Sequence, residues 1–283
     1  MEYLIHKSIK IPLIGFGTYG LGLYDEITAE EENTVKAGIE RFDMTLIDTA
    51  ESYGNGASES FIGRIIKNYD RERFFIVDKI LPENAFEDGF FTSCRKSIDR
   101  LGVDYIDLYL LHWREGLKLQ SVVDGMENLV HSGMIKHWGV SNFDIDDMKE
   151  LFDCKNGDNC FCNQILYNIS TRGAEYELIP WCKGHGVLVM AYSPLCHRCS
   201  DRLTVVENPL VKDIAALENK TAESLMLSFV IRDKDIVTVF KTSKKDRLFV
   251  NMQNVFSPIT EEHYCALSQL FKSPQRRIKL KTI

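Results

Sequence analysis

Proline and glycine are sparse for a chain of 283 residues, at 7 and 18, and no stretch rich in them or in serine interrupts it. A flexible linker between domains and a low-complexity segment are thereby excluded. No run approaches the roughly 20 apolar residues that a membrane-spanning helix needs. The first residues, Met1-Glu2-Tyr3, lack the charged and apolar regions of a signal peptide, so a cytoplasmic protein is expected. Nor is there an excess of positive charge. Lys and Arg number 34 against 41 Asp and Glu, a net charge of −7, which argues against nucleic acid or an anionic membrane as a general partner. The basic stretch 241–247 is a local exception. Paired metal-ligand sets are missing too. The eight cysteines are scattered, and Cys196-His197-Arg198-Cys199, like Cys160 and Cys162, has no second knuckle to complete a zinc site. No metal is expected, and the cysteines read as free thiols of a reducing compartment.

What the chain does have is a strand-then-helix rhythm at intervals of roughly 25 to 35 residues, the pattern of βα units. Apolar runs predict strands at 13–16, 46–48, 75–79, 106–111, 135–140, 163–166, 187–192 and 236–241. Eight such strands close a barrel, and a length near 250 residues suits one. The fold expected is therefore α/β, a single (β/α)8 barrel domain spanning 1–283, with an N-terminal plug over its floor and an extra C-terminal helix near 261–271. Helix punctuation agrees. Thr28 with Glu31 has capping-box spacing, Asp144 and Thr221 stand where helices should begin, and Gly133 where one should end. A further helix is expected around 211–217.

Four polar residues lie at or just beyond the ends of consecutive predicted strands: Asp48, Tyr53, Lys79 and His112. Strand ends in such a barrel converge on one mouth, where its chemistry sits. A phenol is a poor acid at neutral pH, but an adjacent ammonium stabilises phenolate and eases proton donation. Tyr53 is therefore the expected proton donor, Lys79 its tuner, Asp48 the anchor that keeps the lysine charged, and His112 the group that orients a substrate carbonyl or relays a proton. Singly, each has a bland reading as a packing tyrosine, a surface lysine or a structural histidine. Their joint placement favours the site.

Longer words surround these residues: Gly15-Phe16-Gly17-Thr18-Tyr19, the stretch from Leu46-Ile47-Asp48 to Tyr53-Gly54, and Asp107-Leu108-Tyr109-Leu110-Leu111-His112-Trp113. Gly139-Val140-Ser141-Asn142-Phe143, Asn163-Gln164 and Ala191-Tyr192-Ser193-Pro194-Leu195 follow. In these words and their order the chain resembles the aldo-keto reductase family from end to end. The resemblance implies that Asp48, Tyr53, Lys79 and His112 are a catalytic tetrad, and that the cofactor is NADP(H), held across the mouth without a Rossmann domain. No glycine-rich dinucleotide turn of the Rossmann kind is expected. It implies further that Ser141, Asn142 and Gln164 bind the carboxamide, that Tyr192 stacks on the nicotinamide and that Thr18 lines its edge. Lys241, Thr242 and Arg247 match positions that hold the 2′-phosphate, and Asn251 an adenine contact. An ammonium, a hydroxyl and a guanidinium complement a phosphate dianion.

The chain also departs from the family's pattern. Phe240 stands where proline is common, Val250 where an acidic adenine partner is usual, and Arg114 where a proline follows the His-Trp pair. The basic segment after Phe271 is short and is expected to leave the substrate pocket open or to be disordered. Tyr19, Tyr24 and Trp113 are the expected pocket walls, suited to a small carbonyl compound. The activity implied is NADPH-dependent reduction of an aldehyde or ketone to an alcohol by a monomer, with a small-molecule carbonyl as its partner. Two other readings compete: a nicotinamide-binding regulatory or redox-sensing subunit, and an aldolase that uses Lys79 as a Schiff-base nucleophile.

Overall fold

Strands buried on both faces read as unbroken apolar runs rather than as alternating ones. Runs of this kind build the inner ring of the protein, obtained as a computed structural model that describes the backbone of residues 1–283 and every side chain except those of residues 25–27. The barrel strands are β3 (Ile14–Gly17), β4 (Leu46–Asp48), β5 (Phe75–Ile80), β6 (Ile106–Leu111), β7 (Ile135–Ser141), β8 (Cys162–Leu166), β9 (Leu188–Tyr192) and β10 (Ile236–Phe240). They pair in parallel in sequence order, and β10 returns to β3 to close the ring. Before them β1 (Tyr3–His6) and β2 (Ile9–Pro12) form an antiparallel hairpin. His6 and Lys7 of this hairpin lie against Phe161, just ahead of β8, so the expected plug covers the floor of the barrel.

Eight helices follow the strands or lie between them: α1 (Asp25–Phe42), α2 (Ala57–Ile66), α3 (Gly89–Leu101), α4 (Leu119–His131), α5 (Ile145–Phe152), α6 (Leu178–Gly184), α7 (Cys199–Val206) and α8 (Pro209–Leu217). Then come α9 (Ala222–Val230), α10 (Lys245–Met252) and α11 (Glu261–Leu270). The expected cap of α5 is present as a full capping box. Asp144 accepts from the helix, and Asp147 accepts from the Asp144 amide. Thr221 likewise caps α9.

Two local expectations are corrected. Thr28 does not cap α1, which starts at Asp25; its hydroxyl donates to the Tyr24 carbonyl inside the first turn, and Glu31 reaches back to the Gly22 amide at 2.8 Å. A glycine-rich spelling of the dinucleotide kind does occur, at Gly15, Gly17 and Gly20. It has a different cause. A Cβ on Gly15 would lie 2.4 Å from the Leu46 carbonyl, so β3 needs glycine to approach β4, and four residues separate Gly20 from the start of α1 at Asp25. The turn carries no helix N-terminus for a phosphate.

Candidate active site

β4, β5 and β6 are neighbours in register, with Asp48 opposite Val77, and Lys79 opposite Leu110. That register brings Asp48 and Lys79 to the mouth side by side. The next turns add Tyr53 before α2 and His112 after β6. The Lys79 ammonium donates to three oxygens: Asp48 Oδ1 at 2.7 Å, the Thr49 carbonyl at 2.8 Å and the Tyr53 hydroxyl at 3.3 Å. All its donors are then committed. Because the Tyr53 oxygen accepts from Lys79, its own proton is left to donate elsewhere. Lys79 is 1% exposed and Asp48 3%. Burial by itself lowers the pKa of Lys79, but the Asp48 charge and the hydrogen bonds to Asp48 and Tyr53 outweigh it, and the net shift is upward.

The phenol departs from expectation in one respect. Burial raises the Tyr53 pKa above its ordinary value and exceeds the lowering supplied by Lys79. The ammonium tempers the acid without making it a phenolate, and Tyr53 stays protonated at neutral pH. His112 is held neutral. Burial first, and Lys79 second, lower its pKa to about 3, so it can hydrogen-bond a carbonyl oxygen but does not relay protons as an imidazolium near neutrality. Its Nδ1 lies 3.4 Å from the Ser52 hydroxyl. Ser52 went unremarked in the sequence although it lies inside the motif that ends at Gly54.

Around this cluster the expected nicotinamide residues form one connected network. Gln164 donates to Asp48 Oδ1 at 2.6 Å, and Ser141 donates to the Gln164 carbonyl at 3.0 Å. Asn142 donates to the His112 carbonyl and to Ser141 Oγ, both at 3.1 Å, and accepts from the Tyr192 hydroxyl at 2.7 Å. It does so at a φ of 63°, a left-handed conformation that asparagine tolerates better than most residues. The buried Thr18 hydroxyl has no partner among the described residues. Tyr19 meets Tyr53 edge-on at 5.2 Å, and Trp113 lies 4.8 Å from the His112 ring. Both are open to solvent, at 69% and 36%. Tyr24 is exposed at the entry to α1 and makes no aromatic contact with these rings among the described residues.

The basic stretch lies where β10 passes into α10. Lys241 and Arg247 are exposed, and so are Lys244 and Lys245, which the sequence reading passed over; Thr242 and Asn251 are buried. None of the four cations forms an ion pair among the described residues. Unpaired cations at a helix start suit an anion with two or more charges. Together with the unpartnered Thr18 hydroxyl and the tyrosine at the end of β9, this donor set fits an extended phosphorylated dinucleotide. No group of three or more candidate ligands comes together among the described residues, and all eight cysteines are free.

A sequence model of the aldo/keto reductase family matches residues 13–271. The chain belongs to the aldo/keto reductase family. It is 34% identical to the methylglyoxal reductase YeaE of Escherichia coli K12 over 273 residues, which cover 96% of this chain and 95% of that one. An aldo-keto reductase from Klebsiella pneumoniae, solved with NADPH, superposes with a TM-score of 0.95 at 34% identity, covering 100% of this chain and 99% of that one. A second structure of a Klebsiella pneumoniae aldo/keto reductase, with NADP and acetate, gives the same score and identity over the full length of both chains. As a member of the aldo/keto reductases the protein is an NADPH-dependent oxidoreductase that reduces carbonyl compounds. The regulatory-subunit reading is not supported. Nor is the aldolase reading, since Lys79 is buried, fully hydrogen-bonded and held protonated.

Proposed function

We propose that the chain is a single-domain, cytoplasmic, monomeric alcohol-forming reductase of small aldehydes and ketones, with Tyr53 as its proton donor. The observation that carries this reading is the hydrogen bond from Lys79 to the Tyr53 oxygen, which turns the phenol proton outward. The hydride, delivered to the carbonyl carbon, is the chemistry that a bound nicotinamide supplies. Tyr53 protonates the carbonyl oxygen as charge builds on it, and Lys79 stabilises the phenolate left behind. Asp48 keeps Lys79 charged and in place. His112, as a neutral imidazole, steadies the carbonyl oxygen from the other side.

Ser141, Asn142 and Gln164 would hold the carboxamide and Tyr192 the nicotinamide ring, with Thr18 at its edge. Lys241, Thr242 and Arg247 would hold the 2′-phosphate and Asn251 the adenine. Tyr19 and Trp113 form walls of the substrate cleft, and Tyr24 stands at its outer rim. The absence of any described helix long and apolar enough to cross a membrane is compatible with this assignment. The name of the Escherichia coli relative makes methylglyoxal the first compound to assay, beside a panel of other carbonyls and with NADH as the control cofactor. Turnover that prefers NADPH and disappears in Tyr53→Phe supports the assignment. Unimpaired turnover in that variant overturns Tyr53 as the donor.

A further inference from the structure

Two arginines that take no part in the chemistry converge on one helix. Arg114 follows Trp113 in the turn after β6, and its guanidinium donates to Asp147 and to Glu150 of α5, both at 2.7 Å. Asp147 is at the same time the capping residue of that helix. Trp113 is tied within its own turn, its indole donating to Glu115 at 3.1 Å. The turn that carries the tryptophan over His112 is thus pinned to α5.

The second arginine lies in the segment after α11, which is neither open nor disordered. Arg172 donates to the Phe271 carbonyl at 2.7 Å as the segment leaves α11. Arg277 then takes both oxygens of Asp146, at 3.1 and 2.6 Å, and lies 4.0 Å from Asp144. The Leu280 amide donates to Asp144 at 3.0 Å, and Ile278 fills the space beside Gly173 where a Cβ would stand 2.9 Å away. Residues 281–283 go on to line a cavity of about 200 Å³ with Ser170, Cys196 and His197. The Ile283 backbone comes near the Tyr192 hydroxyl. Sequence reading missed the course of this segment because Arg277 and Leu280 lie more than a hundred residues from Asp146 and Asp144, and Arg277 belongs to no motif.

The first two turns of α5 therefore hold Trp113 on one side of the mouth and residues 277–283 on the other. This helix begins three residues after Asn142, which belongs to the network that reaches His112 and Tyr192. We propose that Arg114 and Arg277 are positioning residues that clasp both walls of the substrate cleft to α5, and that the narrowed cleft selects small carbonyl compounds over bulky ones. The inference rests on the reductase reading. Its energetics suit a specificity device. Solvent-accessible ion pairs add little to fold stability, so their loss leaves the barrel intact while freeing the two walls to move.

The test compares methylglyoxal with para-nitrobenzaldehyde, at saturating NADPH, in the full chain and in Arg114→Ala, Arg277→Ala and the double variant. Each single variant raises KM for methylglyoxal by about 3- to 10-fold while kcat stays within about twofold. Efficiency toward the bulky aldehyde holds or improves. The exchanged pair Arg277→Glu with Asp146→Arg restores the preference lost in Arg277→Glu alone. Acrylamide quenching of Trp113 fluorescence, measured in a Trp181→Phe background, increases in Arg114→Ala and needs no turnover. An equal loss toward both aldehydes, unchanged selectivity, or unchanged quenching overturns the clasp. Wild-type protein that reduces no carbonyl compound with NADPH overturns the reductase reading instead, and the quenching experiment still decides the pinning of Trp113.

Discussion

Asp48→Asn isolates the charge on which the proposed site depends. Both hydrogen bonds to Asp48, from Lys79 and from Gln164, end on the same oxygen, Oδ1. An asparagine carbonyl has two lone pairs and can accept both, so the geometry survives and only the negative charge is lost. What remains is an ammonium 1% exposed, without a counter-ion. Breaking a buried pair in this way costs about 3 kcal/mol, the low end of the usual range because the acceptor persists. That lowers Tm by on the order of 6 °C for a chain of this size. The pH dependence gives a sharper signature. In the wild type Lys79 has a folded pKa above its ordinary 10.5. Its contribution is therefore fully present below 10.5 and fades only as pH climbs through the raised value. Without Asp48, the desolvation that lowers the pKa loses its main opponent, and the folded value falls below the unfolded one. The unfolded chain then binds the extra proton between the two values, and stability increases with pH across that window. Urea titrations from about pH 7 to about pH 10 read the difference as a midpoint that climbs in Asp48→Asn relative to the wild type. Reductase activity drops in parallel, on the order of 10²-fold, as the Lys79 beside Tyr53 no longer has the carboxylate that keeps it charged. Equal stability at neutral pH together with equal slopes would refute the claim that Asp48 holds this charge in place.

Three further expectations follow from the same geometry. Tyr53→Phe lowers kcat by about 10²- to 10⁴-fold with NADPH affinity preserved, read by steady-state kinetics and by fluorescence titration with the cofactor. Lys241→Ala or Arg247→Ala weakens NADPH binding about tenfold and leaves NADH binding unchanged, since each removes one charge-assisted contact to a 2′-phosphate. His112, with a folded pKa of about 3 against 6.5 unfolded, stays neutral in the folded protein while the unfolded chain takes up a proton, so acidification through that interval destabilises the wild type. His112→Gln flattens this part of the stability profile, which denaturant midpoints between about pH 4 and about pH 7 will show.

The barrel was legible because its strands are continuous apolar runs, and every strand expected at 13–241 exists with its ends within about one or two residues, the usual uncertainty of a boundary. The meeting of the four polar residues was legible for the same reason: strand ends locate the mouth, and Asp48, Tyr53, Lys79 and His112 come together there. Less was readable where local signals compete. Thr28 and Glu31 have the spelling of a capping box, yet Glu31 serves the Gly22 amide, a partner nine residues back. Helix α7 escaped notice because it has no side-chain cap and buries only Val205. The sign of the shift at Tyr53 depends on how deeply the ring is buried, a property of the whole mouth rather than of any motif. The path of residues 272–283 depends on pairings such as Arg277 with Asp146, which no periodicity announces.

The hairpin formed by β1 and β2 has a kinetic consequence. It seals the floor, and the barrel interior is filled with buried side chains such as Leu46 and Leu110, on the same face of the strands as Asp48 and Lys79, so traffic is confined to a single doorway. On the proposed assignment the dinucleotide and the carbonyl compound share that doorway, and the compound lies nearer the exit. The two visitors then form a queue, in which the dinucleotide is first to arrive and last to depart. A plugged floor, far from any reacting atom, thereby imposes an order on the catalytic cycle.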